Sequence, residues 1–246
     1  MSEAIELTKI YSISGLLDKD TPLVKKRPFR PVHHSASAIG IIGGGTNPKP
    51  GEITLAHRGI LFLDEVVEFP RNVLEVLRQP LEDGCVTITR AQQSIKYPAD
   101  FTLLAAMNPC PCGHYGDKQK ECVCSDFQVQ RYWSKLSGPL LDRIDIHIEA
   151  EAVDYKSLEA KGKEEASVNI RERVNKARKI GYERYKKYGI YSNSKLTPEL
   201  IEKYCKLGEK EKKILEEAFN KFGFSARAYG RILKLARTIA DLDEKE

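Results

Sequence analysis

Two adjacent acids, Asp64 and Glu65, directly follow the apolar run Ile60–Leu63 in the sequence GILFLDE. Such a run predicts a buried strand, and acids at its end lie at the carboxyl edge of a parallel sheet, where open α/β folds bind ligands. In nucleotide hydrolases the first acid of such a pair holds Mg²⁺ and the second polarises the attacking water. The alternative is a strand that simply ends in a polar turn.

A polar amide, Asn108, follows the next predicted buried strand, in DFTLLAAMN. At a neighbouring strand end, this amide could orient a water molecule against a γ-phosphate. An Asn before Pro is also a common turn former. The acid pair and Asn108 together favour a nucleotide site over a chance arrangement.

Two arginines occupy positions from which they could reach a phosphate. Arg143 lies in SGPLLDRID, directly before a third predicted strand, IDIHIEA. From there a guanidinium could act as an arginine finger on the nucleotide of a neighbouring subunit. The alternative is a surface salt bridge with Asp142 or Asp145. Arg227 lies at the start of the predicted helix in SARAYGRILKLARTIADL, where a preceding loop could aim it at a nucleotide.

Four of the six cysteines form two C-x-C pairs within one short loop. They are Cys110, Cys112, Cys122 and Cys124. Four thiolates suffice for a structural, tetrahedral Zn²⁺ site, although the C-x-C spacing is tighter than the usual C-x₂₋₄-C. His114 is a spare ligand, and the alternatives are free buried cysteines or disulfides.

The composition is that of a globular protein with a mildly basic surface. Its 246 residues are 41% hydrophobic and 30% charged, with a formal net charge of +5. The charge is compatible with nucleic-acid binding but does not establish it. With no secretion signal and no apolar run near the ~20 residues of a membrane span, we expect a cytoplasmic protein without membrane contact.

The order of predicted elements indicates an α/β fold followed by helices. Strands and helices alternate to about residue 150, which favours a parallel sheet, and the charged helical pattern that follows places a domain boundary between residues 1–151 and 152–246. The pattern predicts one helix in PRNVLEVLRQPLEDG, a β-hairpin in CVTITRAQQSIKYPA, a third strand in IDIHIEA, and helices near residues 197–221 and 225–242.

The chain resembles the magnesium-chelatase-like AAA+ ATPases, and among them the ComM/YifB competence-protein family, from about residue 5 to 242. The resemblance rests on the order of five segments: GEITLAHRGILFLDE, LRQPLEDG, AAMNPCPCG, SGPLLDRIDIH and SARAYGRILKLARTIADL. It implies a three-layer AAA+ core with a parallel sheet and a C-terminal helical lid, ATP and Mg²⁺ as cofactors, and a homo-oligomeric ring, usually a hexamer.

The resemblance also assigns roles to the residues singled out above. It implies that Asp64 and Glu65 are the Walker B pair and that Asn108 is sensor 1. It further implies that Arg143 is the arginine finger, acting in trans, and that Arg227 is sensor 2. In the ComM branch these parts drive ATP-dependent migration of branched DNA during natural transformation and recombination.

One expected motif is absent, because the sequence contains no P-loop of the form G-x-x-x-x-G-K-[ST]. The glycine-rich GIIGGGTNPKPG resembles the family's insertion in helix 2 instead. We therefore interpret the chain as N-terminally truncated, beginning just after Walker A. Because the amides and lysine of that loop supply most of the affinity for phosphate, we expect this chain neither to bind ATP tightly nor to hydrolyse it.

Residues 21–51 are interpreted as an elaborated loop that could carry short strands. Two pore-facing insertions, one in this loop and one in the predicted hairpin, are predicted to contact DNA phosphates. They are RPFRPVHHSAS and the hairpin tip TRAQQ, with the side chains of Arg27, Arg30, His33, His34 and Arg90. The alternative is that Arg27 and Arg30 tie their segment to its own core.

Three functions remain open from the sequence. The first is an ATP-driven DNA motor, and the second is the ATPase subunit of a magnesium chelatase, which inserts Mg²⁺ into protoporphyrin. The third is a non-catalytic interaction module, favoured by the missing P-loop. The cysteine loop CPCG and the segment RPFRPVHHS favour the first.

Overall fold

The fold is taken from a computed structural model of the chain. It describes residues 2–18, 20, 22–45, 48–90, 93–150 and 165–245. The side chains of Arg90 and Gln93, the hairpin tip between them, and the predicted boundary at residues 151 and 152 lie outside this description. The chain divides into two compact units, residues 1–144 and 145–246.

The first unit mixes short helices and strands. Its helices are α1 (Ser2–Ile13), α2 (Ala38–Ile42), α3 (Glu52–Leu55), α4 (Arg71–Glu75), α5 (Arg78–Asp83), α6 (Asp126–Trp133) and α7 (Gly138–Leu141), with a 3₁₀ turn at Val66–Glu68. Its strands are β1 (Phe29–Val32), β2 (Gly43–Gly44), β3 (Lys49–Pro50), β4 (Ile60–Leu63), β5 (Cys85–Arg90), β6 (Gln93–Pro98) and β7 (Thr102–Ala105).

A parallel three-stranded sheet, in the order β1-β4-β7, forms the centre of this unit. In register, Val32 lies opposite Leu63, and Leu63 lies opposite Ala105. The side chains of Leu61 and Leu63, which share one face of the central strand, are fully buried, and those of Ile60 and Phe62 on the other face are partly buried. The predicted α/β class with a parallel sheet is confirmed.

Strand β1 corrects the prediction that RPFRPVHHSAS is an insertion, because Phe29–Val32 form an edge strand of the core sheet. The ring of Phe29 stacks on that of Phe62 in the neighbouring strand, with centroids 5.8 Å apart. Proline and arginine within the segment hid the strand pattern. An edge strand tolerates Pro31, since one side of its backbone needs no ladder partner.

Two hairpins extend from this unit. Strands β5 and β6 pair antiparallel, as predicted, after Gly84 ends α5 with a left-handed φ of 64°. Strands β2 and β3 form a much smaller antiparallel pair between α2 and α3. Gly43 is required there, since its φ is 102° and a Cβ atom would lie 2.3 Å from the carbonyl oxygen of Lys49.

The segment PRNVLEVLRQPLEDG forms two short helices, α4 and α5, where one was predicted. Pro80 explains the interruption. In a continuous helix its ring would clash with the carbonyl of Val76, whereas in the first turn of a new helix it is tolerated. Val76 and Leu77 accordingly form the junction between the helices.

The predicted third strand, IDIHIEA, is wrong. Residues 144–150 have no strand assignment. The side chains of Ile146 and Ile148 are 57% and 85% exposed. Alternation of apolar residues predicts a strand only where a neighbouring edge accepts its hydrogen bonds.

A polar cluster fixes α1 to the segment between α3 and β4. The buried ring of His57 accepts the backbone N–H of Asp100 at Nδ1, at 3.0 Å, and its Nε2 lies 3.4 Å from a carboxylate oxygen of Glu6. Arg58, which has a positive φ of 58°, forms an ion pair with Asp100 at 2.8 Å and one with Glu6 at 3.3 Å. Burial of its ring lowers the pKa of His57.

The second unit is helical. Its helices are α8 (Ser167–Tyr185), α9 (Pro198–Tyr204), α10 (Glu209–Phe222) and α11 (Ala226–Leu242), with 3₁₀ turns at Lys186–Tyr188 and Asn193–Lys195. The helix predicted near residues 197–221 is two helices, with Gly208 as the N-cap of the second. Helix α11 agrees with its prediction to within one residue. No helix in the described part of the chain is long and apolar enough to cross a membrane.

An ion pair lies at the centre of this helical unit. Arg184 donates to both carboxylate oxygens of Asp241, at 2.7 and 3.0 Å, and Asp241 is only 2% exposed. The Nδ2 group of Asn193 donates to the same carboxylate at 2.9 Å, and the hydroxyl of the buried Tyr185 donates to Asn193 Oδ1 at 2.9 Å. Burial raises the pKa of Asp241, but the hydrogen bonds from Arg184 and Asn193 outweigh it and lower that pKa.

Candidate functional site

The acid pair lies at the carboxyl end of the central strand. Strand β4 ends at Leu63, and Asp64 and Glu65 follow it with exposed side chains. The backbone continues the sheet for one more step, since the N–H of Ala106 donates to the carbonyl of Leu63 at 2.9 Å. The acids are thus anchored by the ladder and open to solvent, an arrangement suited to a hydrated divalent cation.

Glu65 has a left-handed backbone, with φ 50° and ψ 47°. Its N–H donates to Oδ1 of Asp64 at 2.9 Å, and the next N–H, of Val66, donates to the carbonyl of Ala106. Non-glycine residues rarely adopt this conformation, and those that do cluster at functional sites. The conformation ends the strand sharply and turns the two carboxylates onto the sheet edge.

His34 is a member of this edge that the sequence did not assign to it. It follows β1, and its Nδ1 lies 3.4 Å from Oε2 of Glu65. The rings of His33 and His34 are 4.1 Å apart, and His33 Nδ1 lies 2.9 Å from the hydroxyl of Ser35. The two histidines were predicted to contact DNA. If FRPV had been predicted as a strand of the sheet, the two histidines that follow it would have been predicted to lie beside the acids.

Asn108 lies three residues beyond the end of β7, with an exposed side chain. It therefore follows the strand next to β4, and the strand ends three residues earlier than the sequence predicted. Its role as sensor 1 stays a prediction. The following residue is held in place, because Nε1 of Trp133 donates to the carbonyl of Pro109 at 3.0 Å.

Arg143 follows helix α7 and is engaged within its own unit. Its Nη2 forms an ion pair with Glu82 of α5, and its Nη1 donates to the carbonyl of Pro139 at 2.6 Å. The partner is thus neither of the aspartates considered from the sequence. The Nε atoms of Arg143 and Arg78 are buried without a hydrogen-bond partner among the described residues. Both arginines line one shallow polar pocket with Glu75.

Arg227 lies in the first turn of α11, one residue after its first residue, and is exposed. The side chain of Ser225 caps this helix by accepting the N–H of Ala228. The predicted position at a helix start is confirmed. Its role as sensor 2 stays a prediction.

The arginines predicted to contact DNA make intramolecular ion pairs. Arg30 donates from Nε and Nη2 to both oxygens of Glu52, at 2.7 and 2.8 Å. Arg27 donates to Glu3 at 2.8 Å and to the carbonyl of Arg58 at 2.9 Å. These contacts correspond to the alternative considered from the sequence, in which both side chains hold the segment to its core. DNA contact by Arg27, Arg30, His33, His34 and Arg90 stays a prediction.

The four clustered cysteines converge on one point. Their sulfur atoms all lie within 4.8 Å of one another. The Sγ of Cys110 lies 3.4 Å from that of Cys112 and 3.6 Å from that of Cys122, and the latter two are 3.6 Å apart. Zn–S bonds of about 2.3 Å at tetrahedral angles place the sulfurs about 3.8 Å apart. The group therefore has the size of a metal site, and none of the four forms a disulfide.

Backbone groups of the loop are arranged to stabilise a thiolate. Hydrogen bonds from the backbone of His114 and Val123 lower the pKa of Cys112 to about 6. Burial raises the pKa of Cys124. Such crowded sulfurs cannot all ionise without a cation among them. The spare ligand considered from the sequence, His114, is paired instead with Asp117, at 3.3 Å.

Comparison with known proteins identifies the chain's relatives. The family model described as magnesium chelatase, subunit ChlI, matches residues 1–158, and the model of the ChlI C-terminal region matches residues 164–246. The chain is 52% identical to Competence protein ComM of Haemophilus influenzae over 245 residues, which are 98% of the chain and 47% of that protein.

Two further relatives extend the comparison. Identity to the uncharacterized protein YifB of Escherichia coli is 43% over 99% of the chain and 47% of that protein. Identity to the magnesium-chelatase subunit ChlI of Mesostigma viride is 29% over 48% of the chain and 27% of that protein. The chain spans about half the length of the ComM and YifB relatives. The chain belongs to the magnesium chelatase ChlI family, on the side of ComM and YifB.

Proposed function

We propose that these residues are part of an ATP-driven motor that acts on DNA in natural transformation and recombination, in the cytoplasm. The observation that carries the proposal is the acid pair at the end of the central parallel strand, with the backbone of Glu65 in a left-handed conformation. The similarity to a competence protein supports the link to DNA. Basic residues of the second unit are compatible with it.

Each residue at the sheet edge has a task in hydrolysis. Asp64 holds Mg²⁺ through water, and that ion, when bound, neutralises charge on the ATP phosphates. Glu65 polarises the attacking water, and Asn108 orients it. His34, 3.4 Å from Glu65, holds the carboxylate in position.

The two arginines complete the site in a homo-oligomeric ring, for which six subunits is the family expectation. Arg143 contacts the phosphates of the nucleotide bound to the neighbouring subunit, and Arg227 contacts those of the nucleotide bound to its own subunit. Release of Arg143 from Glu82 would then accompany ring assembly. Its guanidinium already lies near the surface, with its side chain 18% exposed.

ATP binding requires more than these residues supply. The 246 residues contain no P-loop, whose amides and lysine provide most of the affinity for phosphate. We therefore propose that the chain alone is inactive and that turnover requires a polypeptide that also carries a P-loop segment.

ATP hydrolysis by such a longer polypeptide, with and without branched DNA, tests the function. We expect turnover that DNA stimulates and that Glu65→Gln lowers by two orders of magnitude or more, because the water loses its base. The matched control is Glu68→Gln, an exposed acid three residues away that pairs with Lys135. It should retain activity within about twofold. Equal loss in both variants would contradict the assignment of Glu65.

A second candidate is the ATPase subunit of a metal chelatase, favoured by the match to the ChlI family models. The same experiment separates the two, since turnover indifferent to DNA would favour the chelatase. A complete absence of turnover would favour a non-catalytic interaction module.

We also propose that the cysteine loop holds a structural Zn²⁺ ion. Four sulfurs at tetrahedral spacing leave no open position for catalysis. Metal analysis of the purified chain should find one zinc ion per chain. Cys110→Ser or Cys122→Ser should lose it, and the isolated Cys85→Ser should not. Full zinc content in Cys110→Ser would exclude this site.

A further inference from the structure

One segment of the second unit combines tyrosines and basic residues at high density. Residues 176–195 contain seven Lys or Arg and a single acid, Glu183. Four tyrosines recur in it at every third position: Tyr182, Tyr185, Tyr188 and Tyr191. Only Tyr185 is buried and belongs to the core of the unit. The side chains of the other three are exposed, so packing in the hydrophobic core does not account for them.

Tyr182 and Tyr191 form an exposed stacked pair. Their ring centroids are 5.8 Å apart with an interplanar angle of 13°, and the side chains are 44% and 62% exposed. An exposed aromatic face beside positive charge is the surface on which unpaired nucleic-acid bases stack.

Two lysines surround the third tyrosine. The ammonium of Lys203 donates to the hydroxyl of Tyr188 at 3.2 Å, and that of Lys187 lies 5.1 Å from the centre of its ring. Tyr204 also donates to the Tyr188 hydroxyl, at 3.4 Å. The described partners of Lys203 are neutral, so its charge stays available to a phosphate. The hydrogen bond from Tyr204, followed by that from Lys203, lowers the pKa of Tyr188 to about 8.

The neighbouring helix α10 provides an internal contrast. Its sequence EKEKKILEEAFNKF contains four Lys and four Glu, so its charges cancel. The excess of positive charge in the tyrosine segment is therefore not shared by α10. A polyanion with flat bases matches both properties of this surface, whereas an acidic protein matches only the charge.

We propose that single-stranded nucleic acid binds to this tyrosine–lysine surface, defined by Tyr182, Lys187, Tyr188, Tyr191 and Lys203. Bases stack on the tyrosine pair, and Lys187 and Lys203 contact phosphates. Because stacking and phosphate contact ignore the sugar, DNA and RNA of one sequence bind alike. The surface is separate from the strand-end acids in sequence, and binding to it needs no ATP.

Fluorescence anisotropy of the full chain with labelled oligothymidylate of about 20 nucleotides tests the proposal. Tyr182→Ala with Tyr191→Ala should weaken binding by about tenfold, which corresponds to about 1.4 kcal/mol. Tyr182→Phe with Tyr191→Phe should bind like the unchanged chain, because the stacking faces remain. Lys187→Gln with Lys203→Gln should reduce the slope of log K against log salt by about 1.4.

The matched control is Lys210→Gln with Lys213→Gln, two exposed lysines on α10. It removes the same charge and should leave the salt slope and the affinity nearly unchanged. An alanine pair that binds as tightly as the unchanged chain would overturn the proposal, as would equal losses in the control. Competition by poly-glutamate as strong as by oligothymidylate would show an acidic-protein surface instead. None of these results bears on ATP turnover, so failure here leaves the proposed function standing.

Discussion

The two units bury different kinds of group at their centres. The first packs one continuous apolar cluster around its parallel sheet, with Leu61 and Leu63 fully buried. Among the described residues of the second, the main cluster has four buried members, Tyr185, Leu196, Ile201 and Leu233. At its centre lies the ion pair of Arg184 with Asp241.

This difference indicates which substitutions should lower the stability of each unit most. An apolar core loses stability in proportion to the hydrocarbon removed and the cavity left behind. A buried charge depends on a single partner, and loss of that partner leaves the charge desolvated. The first unit also places its exposed acids on a rigid sheet edge, whereas the second leaves tyrosines and lysines on its outer surface.

The largest effect is expected from Asp241→Ala in the second unit. The change leaves the guanidinium of Arg184 without its carboxylate, which costs about 3–5 kcal/mol. The free energy of unfolding would be measured by denaturant titration followed by circular dichroism at 222 nm, since this unit is helical. The control is Asp243→Ala, an exposed acid that pairs with Lys245, and it should change stability by less than about 0.5 kcal/mol.

A single tryptophan sharpens that test. Trp133 is the only one in the chain, and it lies in the first unit. Its fluorescence should therefore report the first unit alone, whereas circular dichroism at 222 nm reports the helices of both units. In Asp241→Ala the fluorescence transition should stay in place, and a shift of it as large as that of the circular dichroism transition would contradict independent unfolding of the two units.

A somewhat smaller effect is expected from Leu61→Ala in the first unit. The side chain is fully buried on the central strand, and its truncation costs about 3 kcal/mol through lost burial and the cavity. The fluorescence transition of Trp133 measures this. Leu104→Ala on the neighbouring strand is the control, because that side chain is 50% exposed and should cost less than half as much.

The smallest effect is expected from pH. Burial lowers the pKa of His57 in the folded chain, so the unfolded chain binds the proton first as pH falls below about 6.5. Stability of the first unit should therefore fall with pH through this range. A second proton on the ring would also displace the N–H of Asp100 from Nδ1.

Denaturant titrations at several pH values between about 5 and 8 would check this expectation. The substitution His57→Gln should flatten the dependence of the free energy of unfolding on pH. The substitution His33→Gln, which replaces an exposed ring, should leave it unchanged. An unchanged slope in His57→Gln would assign the dependence to other groups.

Sequence reasoning succeeded where a signal was local. The apolar run before Asp64 predicted β4, and Gly84 marked the end of α5 because only a residue tolerant of positive φ fits there. Reasoning failed where partners decided the outcome. Residues 144–150 alternate like a strand and yet have no strand assignment, while Phe29–Val32, in a segment interpreted as a loop with short strands, joined the core sheet.

The sequence by itself determined the family, through the order of its motifs, and it determined the acid pair at a strand end and the cysteine cluster, because each of these two depends on residues close together along the chain. Only the tertiary structure decided that His34 lies beside Glu65, that Arg143 pairs with Glu82, and that Tyr182 stacks on Tyr191. The first two contacts join residues tens of positions apart, and the third depends on how the chain turns after α8. Local pattern carries no information about such contacts, because they arise from the path of the folded backbone.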